Sequence, residues 1–481
     1  MLALSTSSVL QEVGLESLLA LLEQMIVSEA VDFKELLGML TQKSEGSSKH
    51  ALANVAKCTG VITAATSPSN RVEVVGNLLA TLEGDGDLVD ETVVKQKVFS
   101  LLVSGDLGRQ VDYQTMDGAA ERMLAIYMSS FDTKSEEIKN AASYALGRAS
   151  MGSQGVFLPA IVNALGSSSE KKQYLLLSSL REFIRCLQKS AGPGSADSVS
   201  VILPHLLKYC SASDEGARSM VAECLGSLTC LQPTVILAKL QELVQQHSAI
   251  NATDGHVPEG DTESKKNALV CGTVATSVKH AIAGKTSVAA LSTAMPDFLS
   301  LLQVTEVNVR NAALLIVYSA VHHMPQLVGA FMKETIMPAL YDVARLKLQR
   351  VVDLGPFKHT VDDALPMRKS AMSIVATCLE KLPGSLDLTS FMPVLAKALA
   401  DLEDVQLQAH QIVVTMSQRH PTYLVAAVDD FVPAFETMFT DKMIKRKTAN
   451  KTGTELERAK EWIKSGLRAL IAMSRLEGVM K

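Results

Sequence analysis

The sequence predicts an all-α fold, a right-handed solenoid of stacked helical pairs that carries a single β-hairpin. Three observations point there. Aromatic residues are only 4% of the 481-residue chain while 47% is apolar, a composition that suits close-packed helices better than strands, which favour aromatics. Prolines and arginines recur with a spacing near 42 residues. One of those intervals is too long, and its surplus alternates as strands do. The apolar content, set against 20% charged residues, excludes disorder over the whole length.

Taken in order, the first 125 residues show helical runs at 8–27, 47–66, 71–82 and 90–104, without a clear period. In SEEIKNAASYALGRAS (135–150), Ile138, Ala141, Ala142, Ala145 and Leu146 fall on one stripe, the apolar face of a helix that small residues let approach its neighbours closely. From here landmarks repeat. Pro159, Pro204, Pro296, Pro338, Pro393 and Pro433 each enter an apolar run, as expected of a first helical turn, where the N–H that proline lacks has no partner anyway. Arg218 follows Pro204, and Arg310 follows Pro296, by 14 residues. Fifteen residues separate Arg218 from Pro233, Arg310 from Pro325 and Arg368 from Pro383. A unit of about 42 residues built from two helices is the HEAT or armadillo signature, each pair burying its apolar face only by stacking on the next. Residues 1–481 then hold roughly eleven HEAT repeats in one elongated domain.

The period exposes two insertions. One falls in the polar, aperiodic segment 247–266, expected to be a flexible loop. The other lies between Pro338 and Arg368, 30 residues apart instead of 14, at LQRVVDLGPFKHTVDD (348–363). Leu348, Arg350, Val352 and Leu354 alternate with Gln349, Val351 and Asp353 before Gly355-Pro356. Phe357, His359 and Val361 alternate with Lys358, Thr360 and Asp362 after it. Alternation on both sides of a two-residue turn predicts a β-hairpin, with Val352 facing His359 and Asp353 facing Lys358. A lone hairpin is marginal in water, so this one either packs on its own surface or waits for a partner.

These residues carry a resemblance. SEEIKNAASYALG (135–147), KKQYLLLSSLREFI (171–184), DEGARSMVAECLGSLT (214–229) and above all VVDLGPFKHTVDDALPMRKSAM (351–372) resemble the carboxy-terminal part of the cullin-associated, neddylation-dissociated (TIP120-like) proteins. The resemblance implies a cytoplasmic and nuclear, non-enzymatic HEAT superhelix that binds the amino-terminal repeats of a cullin in a cullin–RING ubiquitin ligase. It also implies that the hairpin competes with the substrate-receptor adaptor, which makes the protein a receptor exchange factor. The hairpin carried over is Arg350, Val351, Val352, Asp353, Leu354, Gly355, Pro356, Phe357, Lys358, His359, Thr360, Val361, Asp362 and Asp363. The amino-terminal half of the family's superhelix has no counterpart here, the 247–266 loop is longer, and the chain diverges from Thr440 onward. Met1 begins within an apolar repeat rather than on a polar cap, so the expectation is either a truncated chain or one subunit of a split protein with a separate amino-terminal HEAT half as a further partner, and Val9, Leu10, Leu18 and Leu22 as exposed apolar surface.

Other classes are disfavoured. Forty-six basic against 51 acidic residues do not suit a nucleic-acid binder. Cys58, Cys186, Cys210, Cys224, Cys230, Cys271 and Cys378 form no CxxC pair, which fits buried free thiols in a reducing compartment and leaves no zinc site. Glu12, Glu16 and Glu23 spoil the first apolar stretch as a membrane helix. No phosphate-binding glycine motif is present, and His359 beside Asp362-Asp363 has no nucleophile near it in sequence, so neither cofactor nor catalysis is expected. Lys442, Lys445, Arg446, Lys447 and Lys451 are expected to form a solvated loop ahead of a helix from Glu455. A HEAT transport receptor or phosphatase scaffold would share the repeats but not GPFKHTVDD.

Overall fold

The computed structural model describes residues 5, 10, 12–84, 90–190, 195–353, 358–449 and 452–479. These residues form an α-solenoid of 23 helices and one two-stranded sheet, divided into two compact units, Met1–Ser227 and Leu228–Lys481.

In the first unit α1 (Glu12–Val27), α2 (Phe33–Glu45), α3 (Lys49–Ala65), α4 (Pro68–Glu83), α5 (Glu91–Gly108), α6 (Ala119–Ser130), α7 (Glu136–Ala149), α8 (Gln154–Leu165), α9 (Glu170–Ser190) and α10 (Ser195–Lys208) follow one another, and α11 (Glu215–Leu231) crosses the division. Short polar side chains start many of them. Asp32, Ser48, Ser67, Asp90 and Ser135 each accept a hydrogen bond from a backbone N–H of the first turn, satisfying donors that have no helical partner. The helices α3, α5, α7 and α9 pack in succession as one row. Ile138, Ala141, Ala142, Ala145 and Leu146 are all buried in that row. The approach is close enough that a Cβ on Gly105 would stand 2.5 Å from Ala145 Cα. The repeat is written in the hydrogen bonds: Tyr144 to Asp106 and Arg185 to Glu223 span 38 residues, Arg122 to Glu83 and Gln188 to Ser227 span 39, and Tyr209 to Leu165 spans 44.

The second unit contains α12 (Pro233–His247), α13 (Thr262–Ala283), α14 (Val288–Ser300), α15 (Val307–His323), α16 (Met337–Arg345), strands β1 (Gln349–Asp353) and β2 (Lys358–Asp362), α17 (Leu365–Lys381), α18 (Leu388–Leu399), α19 (Glu403–Arg419), α20 (Pro421–Ala426), α21 (Val428–Met438), α22 (Asp441–Thr448) and α23 (Gly453–Ser474). Its row runs through α13, α15, α17, α19 and α23. Again bonds reach one repeat back, from Ser319 to Lys279 and from Arg419 to Leu379, each over 40 residues. Trp462 closes this core, its buried indole N–H donating to Gln406 Oε1 at 2.6 Å.

Several local expectations change. Pro159, Pro204, Pro296, Pro393 and Pro433 lie inside α8, α10, α14, α18 and α21, and only Pro338 of the six sits in a first turn. The helices start earlier than the apolar runs because their first turns are polar or mixed. An interior proline leaves the carbonyl four residues back without a donor. Gly155, Ser200, Ser292, Thr389 and Asp429, which carry those carbonyls, are all exposed, so solvent can take the bond. Leu18 and Leu22 are buried rather than exposed, α1 packing on α3; Val13, Leu21 and Val27 are exposed large apolar residues of α1. Leu10 is half-buried and Val9 lies outside the described residues. A helix over 33–45 forms where no run was expected, and most of the basic segment is the helix α22 rather than a loop. Of the 247–266 segment, His247 ends α12 and Thr262–Lys266 begin α13, its cap Asp261 accepting from Ser264 N at 2.9 Å. None of the seven cysteines forms a disulfide; six are buried and Cys230 is half-buried.

Candidate functional site

The insertion between α16 and α17 folds as an antiparallel hairpin. Gln349 pairs with Asp362, Arg350 with Val361, Val351 with Thr360, Val352 with His359 and Asp353 with Lys358, the register that the alternation predicts. The tip expected at Gly355-Pro356-Phe357 lies outside the described residues, as do Leu354 and the side chains of Asp353 and His359.

The base of the hairpin is built on Arg368, the landmark whose displaced spacing revealed the insertion. Its side chain is 0% exposed. One amino group donates to Leu346 O at 2.8 Å and the other to Asp401 Oδ1 at 3.0 Å, the latter also lying 2.8 Å from Asp362 Oδ2. Its Nε lies 2.9 Å from Asp401 Oδ2. A buried guanidinium is tolerated only when paired in this way. Asp362 spends its other oxygen on the backbone, Oδ1 accepting from the N–H groups of Leu348 (3.1 Å) and Ala364 (3.2 Å). One carboxylate therefore ties both strand ends to the helix that follows. Burial pushes the Asp362 carboxyl up, but the Arg368 guanidinium and the two backbone donors outweigh it and hold it below its usual value.

Asp363 adds a second tie on the outside. Its N–H donates to Leu348 O at 3.0 Å, and its Oδ2 accepts from Arg350 Nε at 2.6 Å and meets His256 Nε2 at 3.1 Å. The bond from Arg350 holds this carboxyl below the usual range as well. Both carboxylates next to His359 are thus committed to guanidinium partners. Farther out the strands stand in solvent: Val351 is 65% and Val361 38% exposed, on opposite faces, and Gln349, Arg350, Lys358 and Thr360 are exposed too. Strand valines exposed on both faces make a two-sided surface that extends away from its anchored base.

Spacing singled out Arg368 but not its partners Asp401 and Asp362, and nothing in the sequence linked His256 or Gly255 to the hairpin. Among the described residues no group of three His, Cys, Asp or Glu could hold a metal ion, and no helix is long and apolar enough to cross a membrane.

Residues 330–481, which include the hairpin, match the family described as TIP120, TATA-binding protein interacting (TIP20). Over 99% of its length the chain is 30% identical to cullin-associated NEDD8-dissociated protein 1 of Arabidopsis thaliana and 31% identical to that of Dictyostelium discoideum. Over nearly its whole length the chain is thus similar to the carboxy-terminal part of the cullin-associated NEDD8-dissociated proteins. It spans 37% and 36% of the length of those two relatives. A relative from Emericella nidulans, named as the C-terminal part of the same protein, is 25% identical over 70% of the chain. Among solved structures a Kap121p mutant superposes with a TM-score of 0.50 at 13% identity, over 99% of this chain and 45% of that one. That likeness is one of fold, the stacked helical pairs.

Proposed function

We propose that this chain is a non-enzymatic regulator of cullin–RING ubiquitin ligases that grips the amino-terminal repeats of a cullin and uses its hairpin to displace the substrate-receptor adaptor. That similarity supports the cullin as partner, since the relatives named above are called cullin-associated. The observation that carries the displacement role is the hairpin itself: anchored at its base by a fully buried arginine and exposed on both faces of its strands. A firmly held probe loses little freedom on docking, which favours affinity through preorganisation. Most of the cullin contact is assigned to the stacked helices, because repeat proteins bind along their extended surface.

The test is a hairpin replacement. Asp362 and Asp363 belong to the anchor, so residues 349–361 are exchanged for a short Gly/Ser linker while Leu348 and both aspartates stay. The variant should still bind a purified cullin–RING complex but no longer release adaptor from a preformed cullin–adaptor complex. Release as fast as with the parent chain would remove the hairpin from the mechanism, and loss of binding to the cullin by the parent would remove the whole reading.

A further inference from the structure

We infer that the 248–261 loop is a strut that fixes the direction of the hairpin, with Gly255 and His256 as its positioning residues; the functional consequence rests on the displacement reading, the geometry does not. The loop connects α12 to α13 and lies far from the hairpin in sequence, yet its turn sits against the hairpin base. Thr253 and His256 exchange backbone hydrogen bonds of 2.9 and 3.0 Å around Asp254 (φ 52°) and Gly255 (φ 82°). Two successive positive φ angles with an Asp-Gly pair mark a tight primed turn.

That turn is held from three sides. Its root is tied to α13, where Asn251 N donates to Ser264 Oγ at 3.0 Å and Asn267 Nδ2 donates to Ala249 O at 2.8 Å. Its apex meets the start of α15, where Val307 N donates to Gly255 O at 2.9 Å. Its far side meets the hairpin: His256 Nε2 lies 3.1 Å from Asp363 Oδ2, the oxygen that also receives Arg350. A Cβ on Gly255 would come within 2.6 Å of both Leu348 Cδ1 and Val307 Cγ2. The glycine is therefore wedged between the first residue of α15 and the residue that begins the hairpin. A two-stranded ribbon anchored only through Asp362 and Arg368 could pivot about that point. The wedge at Leu348 and the His256 contact at Asp363 add two contacts off that axis, which is what fixing a direction requires.

The prediction is read without cullin or adaptor, so its failure is separable from failure of the functional reading. Nitroxide labels at T360C on β2 and Q411C on α19 report the hairpin's direction by electron–electron distance measurement. The parent should give one narrow distribution. Gly255→Val, which needs both the space and a φ that valine avoids, should broaden it about twofold by releasing the contact. His256→Ala, at a side chain 49% exposed and so without cost to folding, should broaden it less, and His256→Gln, which keeps a donor for Asp363, should restore it. A parent-like distribution in both Gly255→Val and His256→Ala overturns the inference. Broadening in Gly255→Val alone assigns the positioning to the wedge and removes His256. In an adaptor-release assay, slower release by the broadened variants would join the strut to the displacement step, and unchanged release would deny it that consequence.

Discussion

At the scale of single residues, Arg368 decides more than its neighbours. It is fully buried between two carboxylates and the Leu346 carbonyl, so replacing it leaves Asp362 and Asp401 without their cation. Arg368→Met should cost about 3–5 kcal/mol, the range for breaking a buried pair from one side, measured by urea unfolding. Arg368→Lys should recover little, because an ammonium cannot serve both carboxylates and a carbonyl with a planar fork. The same contacts fix a pH dependence. Asp362 and Asp363 are held below their usual values in the folded chain. A depressed carboxylate contributes stability that is fully present above its unfolded value of about 3.9 and is lost as pH falls through the folded value. Carboxyl carbon NMR should therefore give both residues midpoints below that value, and Arg350→Ala should move Asp363 back towards it while leaving Asp362 in place.

At the scale of the element, the hairpin combines a costly base with an expendable surface. Among its described residues Val351 is the most exposed apolar one at 65%. Val351→Glu should change the urea midpoint by no more than corresponds to about 0.5 kcal/mol, as surface substitutions do, and yet impair adaptor release, because a charge then occupies a face proposed to dock. Adaptor release equal to that of the parent would show that this face of the hairpin makes no contact. The pairing of the strands was legible beforehand, since period-2 alternation fixes which residues share a face and the turn fixes which stand opposite. The anchoring was not, because Arg368, Asp401 and His256 are brought to the base by helix stacking and loop docking that no local pattern encodes.

At the scale of the whole molecule, the repeat governs how a perturbation spreads. Neighbouring pairs are tied by hydrogen bonds between residues one period apart, and stability in such stacks is a sum of local and nearest-neighbour contributions. Gly105→Leu would force α5 away from Ala145 at a cost of about 1–3 kcal/mol. Hydrogen exchange should then quicken in α5, α7 and the pairs beside them and fade with distance along the row. Uniform loss of protection throughout the first unit would instead mean that the stack unfolds as one cooperative block.

What the sequence determined by itself was everything with a short period or a fixed interval. The helical pairs and their spacing near 42 residues, the stripe from Ile138 to Leu146, the hairpin and its register all follow from rules that act within a few turns of chain. What the tertiary structure decided was the surroundings of each marker. Pro159, Pro204, Pro296, Pro393 and Pro433 sit in helix interiors, each four residues beyond an exposed one, Leu18 and Leu22 of α1 are covered, and a loop that reads as slack is wedged under a hairpin whose facing carboxylate is 107 residues away from it in sequence. The physical reason is the same in each case. Composition and period state that a face must be buried or a charge paired, but the partner is whichever residue the stacking of helices brings within a few ångströms, and that is set by the packed chain as a whole.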